Sequence, residues 1–191
     1  STVNKDANTI NSNRTGSQGT TIGFPDGNQW TVPEADARIT SGWFWGNGKK
    51  TPKSMEELGN MYFDSVGHNA TLLLNVPPNN QGKVDQPILD RVTEFGNAIK
   101  QIFAVNLAAG ATVKADNIRN NDIQFKPSNV LDNNQETYWT TSDGTATGTL
   151  LLELDEIQTF DVVSIEEAIQ FGQRINSFTV EYRTGDSGAW K

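Results

Sequence analysis

The chain contains no cysteine. That excludes disulfides, thiolate metal sites and a thiol nucleophile. Histidine occurs once, at His68. A multi-histidine metal centre is therefore excluded, and His68 would have to be the base of any Ser-His-Asp arrangement. No apolar run approaches the roughly 20 residues that span a bilayer, and mean hydropathy is −0.53, so no membrane span is expected. Basic residues are outnumbered, 15 Lys and Arg against 23 Asp and Glu, for a formal charge of −8. Such a surface repels phosphate backbones, so a nucleic-acid partner is not expected. The opening residues have neither a basic region nor an apolar stretch, so they are not a secretory signal. At 191 residues the chain is shorter than the about 250 residues of a complete (β/α)8 barrel. One large domain or two small ones is expected. Both ends read as interrupted: the first stands in a polar loop, the last just after a strand-like alternation and a turn.

Residues 1–29 are rich in Asn, Ser, Thr and Gly and read as a long polar loop. Arg38-Ile39 and Trp43-Phe44-Trp45 read as short strand segments, with a turn at Gly46-Asn47-Gly48. Residues 52–67 read as a helix. Ser54 and Glu57 have capping-box spacing, and Met55, Leu58, Tyr62 and Val66 form one apolar face. Ala70–Val76 is an unbroken apolar run, expected as a strand buried on both faces. A second helix is expected from about Asp85 to Phe103, with Ile88, Val92, Phe95, Ile99 and Ile102 as its stripe. Helix, buried strand, loop and helix make an α/β unit.

The pattern changes near residues 103–106. Beyond it, Ala111/Val113/Ala115, Leu150/Leu152/Leu154 and Phe178/Val180/Tyr182 alternate with period two, separated by turn residues. That reads as an antiparallel β-sandwich. Two domains follow, 1–104 and 105–191.

The segment from Trp30 to Trp45 holds three of the five tryptophans and two carboxylates, Glu34 and Asp36. Aromatic faces pack against the C–H face of a sugar, and a carboxyl group can exchange a proton with a glycosidic oxygen. The same residues also suit a plainer account, with Trp43 and Phe44 in the core and Glu34 a solvated loop acid.

PEADARITSGWFW, followed by SMEELGNMYFDSVGHNATLLLNVPPNNQGKVD and a helix ending in EFG, resembles the C-terminal part of the catalytic barrel of glycoside hydrolase family 29 α-L-fucosidases, over residues 1–103. The branch it resembles removes α-1,3/1,4-linked fucose from branched glycans. One departure is Gly46, where the family often has a His soon after the aromatic run. The resemblance implies a retaining mechanism with a nucleophilic Asp and a Glu acid/base, about 5–5.5 Å apart. By motif position Glu34 is the candidate acid/base, with Asp36 the less favoured alternative. The family's nucleophile lies on an earlier strand, and no residue here corresponds to it, Asp6 and Asp26 included. The chain by itself is therefore expected to be inactive. Trp43 and Trp45, two apart in an extended segment, would line the sugar pocket with Phe44 in the core, or both would pack on the next helix. Asn75 stands where barrel enzymes place site residues, but bracing of the Pro77-Pro78 loop is the favoured role. His68 is expected to end its helix by bonding backbone.

NLAAGATVKADNIRNNDIQFKPSNVLDNNQETYWTT and the later LLLELDEIQTFDVVSIEEAIQFGQRINSFTVEYR are similar to the discoidin-like, coagulation factor 5/8 C-type domain. Such domains commonly hold one structural calcium, and Asp132, Asn134 and Thr137 would supply hard oxygens for it. An ordinary Asx-rich turn explains the same residues.

The expected architecture is thus α/β plus all-β: the C-terminal portion of a (β/α)8 TIM-like barrel, then a truncated antiparallel β-sandwich of discoidin, galactose-binding-like jelly-roll type. The expected function is a fragment of a retaining exo-α-L-fucosidase acting on fucosylated glycans, bacterial-type and extracellular or periplasmic. It needs no cofactor for catalysis, and structural calcium in the sandwich is a candidate. The alternative is a non-catalytic carbohydrate-binding or adhesion module, which would need no acid at Glu34.

Overall fold

The computed structural model describes residues 2–3, 29–30, 33–172, 174–185 and 188–191. The expected polar loop at 1–29, with Asp6 and Asp26, lies almost wholly outside the described residues. The chain divides into two compact units, Ser1–Ala104 and Val105–Lys191.

In the first unit, β1 (Thr2–Val3) pairs antiparallel with β2 (Gln29–Trp30). β3 (Glu34–Arg38) then runs parallel to β4 (Thr71–Asn75), with Glu34 opposite Thr71 and Arg38 opposite Asn75. Between them lies α1 (Met55–Ser65), and α2 (Gln86–Ile102) follows β4. Strand, helix, parallel strand, helix is the repeating unit of α/β folds.

The capping box of α1 forms as the spacing predicts. Ser54 Oγ accepts from Glu57 N at 3.1 Å, and Glu57 Oε2 accepts from Ser54 N at 2.8 Å. Asn69, with φ of 64°, makes the left-handed turn after the helix, and His68 Nδ1 lies 2.9 Å from the Phe63 carbonyl. Ile39, Leu58, Ile88 and Phe95 are buried together, with Met55, Met61, Tyr62, Leu72, Leu74, Val92 and Ile99 packed around them. The predicted stripes of both helices thus meet over one face of the β3–β4 pair. Val66 and Ile102, the last residue of each stripe, are 39% and 43% exposed. Ser65, buried at the end of α1, satisfies its hydroxyl on the Met61 carbonyl at 2.5 Å.

Two expectations need correction. β4 is not buried on both faces among the described residues: Leu72 and Leu74 meet the helices, while Leu73 is 51% exposed on the other side. Trp43-Phe44-Trp45 forms bends rather than a strand, so the two-residue alternation does not govern it. Phe44 is 82% exposed and not in the core.

In the second unit, β5 (Thr112–Ala115) and β6 (Leu150–Glu153) pair antiparallel. The excursion between them is built from short 3-10 turns, at Arg119–Asn121, Ile123–Phe125 and Pro127–Leu131. Asn117, just after β5, holds the returning chain at two nearby points: its carbonyl accepts from Trp139 Nε1 at 2.8 Å and its Oδ1 from Ser142 N at 2.8 Å. Buried Asn129 donates to the carbonyls of Gln124 and Tyr138. Phe125, Tyr138 and Phe171 stack in sequence at 5.4 and 5.5 Å. The described residues contain one two-stranded sheet here, not two packed layers. Phe178, Val180 and Tyr182 alternate as a strand would but form none, and are 65%, 48% and 55% exposed. An alternating segment becomes a strand only where a neighbour completes its hydrogen-bond ladder. Among the described residues Tyr182 pairs with Lys191, through two backbone bonds of 3.1 Å.

Candidate active site

Both helices of the first unit cover the Ala35, Ala37, Leu72 and Leu74 side of the β3–β4 pair. Glu34, Asp36 and Arg38 therefore project from the other side, and all three are exposed. By the same alternation Thr71, Leu73 and Asn75 share that face. In a barrel of parallel strands it is the inward face, and chemistry gathers where the strands end. Here that edge is Arg38 and Asn75 with the two loops that follow them.

The loop after β3 is tied to the loop after β4 at several points. Ile39 N donates to the Asn75 carbonyl at 3.1 Å. Asn75 Nδ2 donates to the Trp43 carbonyl at 2.9 Å. The side chain of Asn75 therefore braces the aromatic loop and not the Pro77-Pro78 loop that sequence favoured. Arg38 lies over the Trp43 ring at 5.8 Å, and Lys50 Nζ donates to the Phe44 carbonyl at 2.8 Å. Trp45 Nε1 donates to Asp85 Oδ2 at 2.5 Å, and Asn79 Nδ2 to Asp85 Oδ1 at 2.9 Å. The two tryptophans therefore differ. Trp43 is 41% exposed at the strand ends, whereas Trp45 is half-buried with its indole N–H committed.

Glu34 is on this same face but at the opposite end. It is the first residue of β3, and Thr71, its neighbour, is the first of β4. Four residue steps separate it from Arg38, about 13 Å at roughly 3.3 Å per residue. The acid/base role expected from its motif requires the leaving oxygen to come within hydrogen-bond reach of Glu34 itself, at this end of the strands. Asp36, two steps along, is closer but still short of the edge. Arg38, Lys50, Asn79 and Asp85 were not singled out from sequence. Asp85 was legible only as a helix start, and a tertiary partner 40 positions away leaves no local pattern.

In the second unit, Asp132, Asn134 and Thr137 come together. Thr137 Oγ1 donates to Asp132 Oδ2 at 2.7 Å and lies 3.0 Å from the Asn134 carbonyl. Asn134 N donates to Asp132 Oδ1 at 2.9 Å. The Thr137 hydroxyl, aided by the Asn134 backbone, holds the Asp132 carboxyl below its ordinary value. Among the described residues no group of three or more His, Cys, Asp or Glu side chains is placed to hold a metal. A hard cation here would therefore rest on one carboxylate with hydroxyl and carbonyl oxygens. Calcium takes six to eight such oxygens, of which this loop offers the Asp132 carboxylate, the Thr137 hydroxyl and the Asn134 carbonyl.

No family model matches the chain. A Ruminococcus gnavus GH29 fucosidase, solved in complex with fucose, is 67% identical with a TM-score of 0.79, covering 88% of this chain and 34% of that one. The solved structure of SpGH29 is 35% identical with a TM-score of 0.78, covering 88% and 36%. Alpha-L-fucosidase 1 of Arabidopsis thaliana is 38% identical over 166 residues, 86% of this chain and 33% of the relative. The chain thus matches glycoside hydrolases over both of its units, since 88% of it extends well past Ala104. The family these likenesses support is glycoside hydrolase family 29, the α-L-fucosidases. The chain spans about a third of the length of the relatives it matches.

Proposed function

We propose that this chain is part of a retaining exo-α-L-fucosidase that hydrolyses terminal α-1,3/1,4-linked L-fucose from glycans, extracellular or periplasmic. The observation that carries this reading is the 67% identity to a fucosidase solved with fucose. The parallel β3–β4 pair supports it, since its strand ends present Trp43 beside Arg38, and an aromatic face there suits a sugar's apolar side. In this reading Trp43 is the sugar-facing residue and Trp45 its support. The second unit is discoidin-like in this reading, supported by the antiparallel β5–β6 pair and the Asx-rich loop at Asp132. That loop would hold one structural calcium through Asp132, Asn134 and Thr137.

The test is an assay of the full-length enzyme carrying this segment, on α-1,3/1,4-fucosylated oligosaccharides and on an aryl fucoside. Release of fucose with retained anomeric configuration, seen by NMR at early times, is expected. The 191-residue chain alone serves as the comparison and is expected to release none. Binding of the glycans by the full-length protein without hydrolysis would favour the carbohydrate-binding module instead.

A further inference from the structure

Asp85 occupies the N-cap of α2 with extended backbone angles, φ −64° and ψ 142°, yet its side chain makes no capping hydrogen bond. An Asp at this position ordinarily satisfies one of the helix's free N–H groups. Both of its oxygens are committed elsewhere. Oδ2 accepts from Trp45 Nε1 at 2.5 Å and Oδ1 from Asn79 Nδ2 at 2.9 Å. Asn79 is itself fixed, because its Oδ1 accepts from Gln81 N and Lys83 N at 2.9 and 3.0 Å. The carboxylate therefore joins a rigid turn after β4 to the aromatic loop after β3. Two residues before Trp45, Asn75 Nδ2 holds the Trp43 carbonyl. The loop is thus pinned at two points flanking Phe44, one through backbone and one through the Trp45 indole.

We propose that Asp85 is a positioning residue: it anchors Trp45 so that Trp43 stands fixed at the C-terminal ends of β3 and β4, facing the sugar. This rests on the fucosidase reading for its consequence, but the clamp itself rests on the hydrogen bonds alone. A carboxylate suits the task because a charge-assisted bond to an indole N–H is short and directional. Trp45 is then a strut and not a second sugar platform. An Asn at 85 would keep one acceptor for Trp45 and turn its amide N–H2 toward the amide of Asn79, so it should retain part of the effect.

The test compares Asp85→Ala, Asp85→Asn and Trp45→Phe in the full-length enzyme, with kcat and KM on a fucoside and the indole N–H resonances of 15N-tryptophan as readouts. One downfield, exchange-protected indole resonance is expected, lost in Trp45→Phe and shifted in Asp85→Ala. The kcat/KM of Asp85→Ala should fall about tenfold to a hundredfold, the scale of an ångström's misplacement in a site. Trp45→Phe should match it, the double variant should lose no more, and Asp85→Asn should recover part. An unmoved indole resonance in Asp85→Ala, or a kcat/KM within about twofold of wild type, overturns the proposal. If Asp85→Ala does not fold, Asp85→Asn decides by the indole resonance and kcat/KM together, with Trp45→Phe, which keeps an aromatic ring but loses the N–H donor, as the kcat/KM comparison. A wild-type enzyme that turns over no fucoside would sink the fucosidase reading, while the indole resonance still decides whether the clamp exists.

Discussion

Glu34 and Asp85 show how the position of a carboxylate along its element decides what it can do. Both are acids in or beside a β/α unit. Glu34 begins β3, paired with Thr71 at the start of β4, and its face is shared by Asp36 and Arg38. Asp85 lies past the end of β4, where the loops after both strands converge. In a parallel barrel, residues at the starts of strands support the closed end, and residues at their ends surround the substrate. Glu34→Gln in the full-length enzyme separates the two accounts of that residue. An acid/base would lose most turnover on natural fucosides and keep much of it on substrates with good leaving groups. Its place at the start of β3 leads to a different expectation: both substrates are turned over within about tenfold of wild type, and any loss shows equally in the two. A selective collapse on the natural substrate would restore Glu34 as the acid/base.

At the scale of the element, α1 is the clearest case of local sequence dictating local structure. Its first turn closes through Ser54 and Glu57, and Lys53 Nζ adds a 3.2 Å ion pair to Glu57. Ser54→Ala should lower stability by about 1 kcal/mol, the usual value of an N-cap side chain, measured by urea denaturation. The Ser54 backbone N–H, with Lys53, holds the Glu57 carboxyl below its ordinary value of 4.5. A lowered folded-state value means that the contribution is fully present above the unfolded value and is lost as pH falls through the folded one. The fall in thermal stability below about pH 4.5 should therefore be shallower in Glu57→Gln than in wild type. Elements of this kind were legible because cap, stripe and stop lie within one stretch of chain. Both helices, the apolar strand between them and the α/β order all follow from periodicity. The strand at Glu34–Arg38 was less legible, because Ala and charged residues alternate there and its partner is 37 residues away. The aromatic loop was misread for the same reason. Its conformation is set by Asn75, Lys50 and Asp85, and no period in Trp-Phe-Trp carries that information. In the second unit the alternation at Phe178–Tyr182 was visible, but alternation describes a face and not a partner.

For the whole molecule, the division into Ser1–Ala104 and Val105–Lys191 turns the calcium question into one that melting can answer. The first unit's core is helix packed on strand, around Ile39, Leu58, Ile88 and Phe95. The second unit buries little apolar side chain, and its excursion from Asp116 to Thr149 is held by side-chain-to-backbone bonds from Asn117, Asn129 and Asp132. A loop so dependent on polar anchors is the part of the molecule that a bound cation would stabilise most. Calcium bound at a hundred times its dissociation constant adds about 2.7 kcal/mol to the state that binds it. In a small domain that amounts to a melting shift of about 10 °C or more. Differential scanning calorimetry of the full-length enzyme with and without EDTA should therefore lower one transition and leave the others in place. Asp132→Asn should abolish the sensitivity to EDTA, because the carboxylate is the one charged donor in the set. Unchanged transitions in EDTA would mean that the Thr137 hydroxyl and the Asn134 N–H already complete the loop by themselves, as an Asx turn with its carboxylate satisfied.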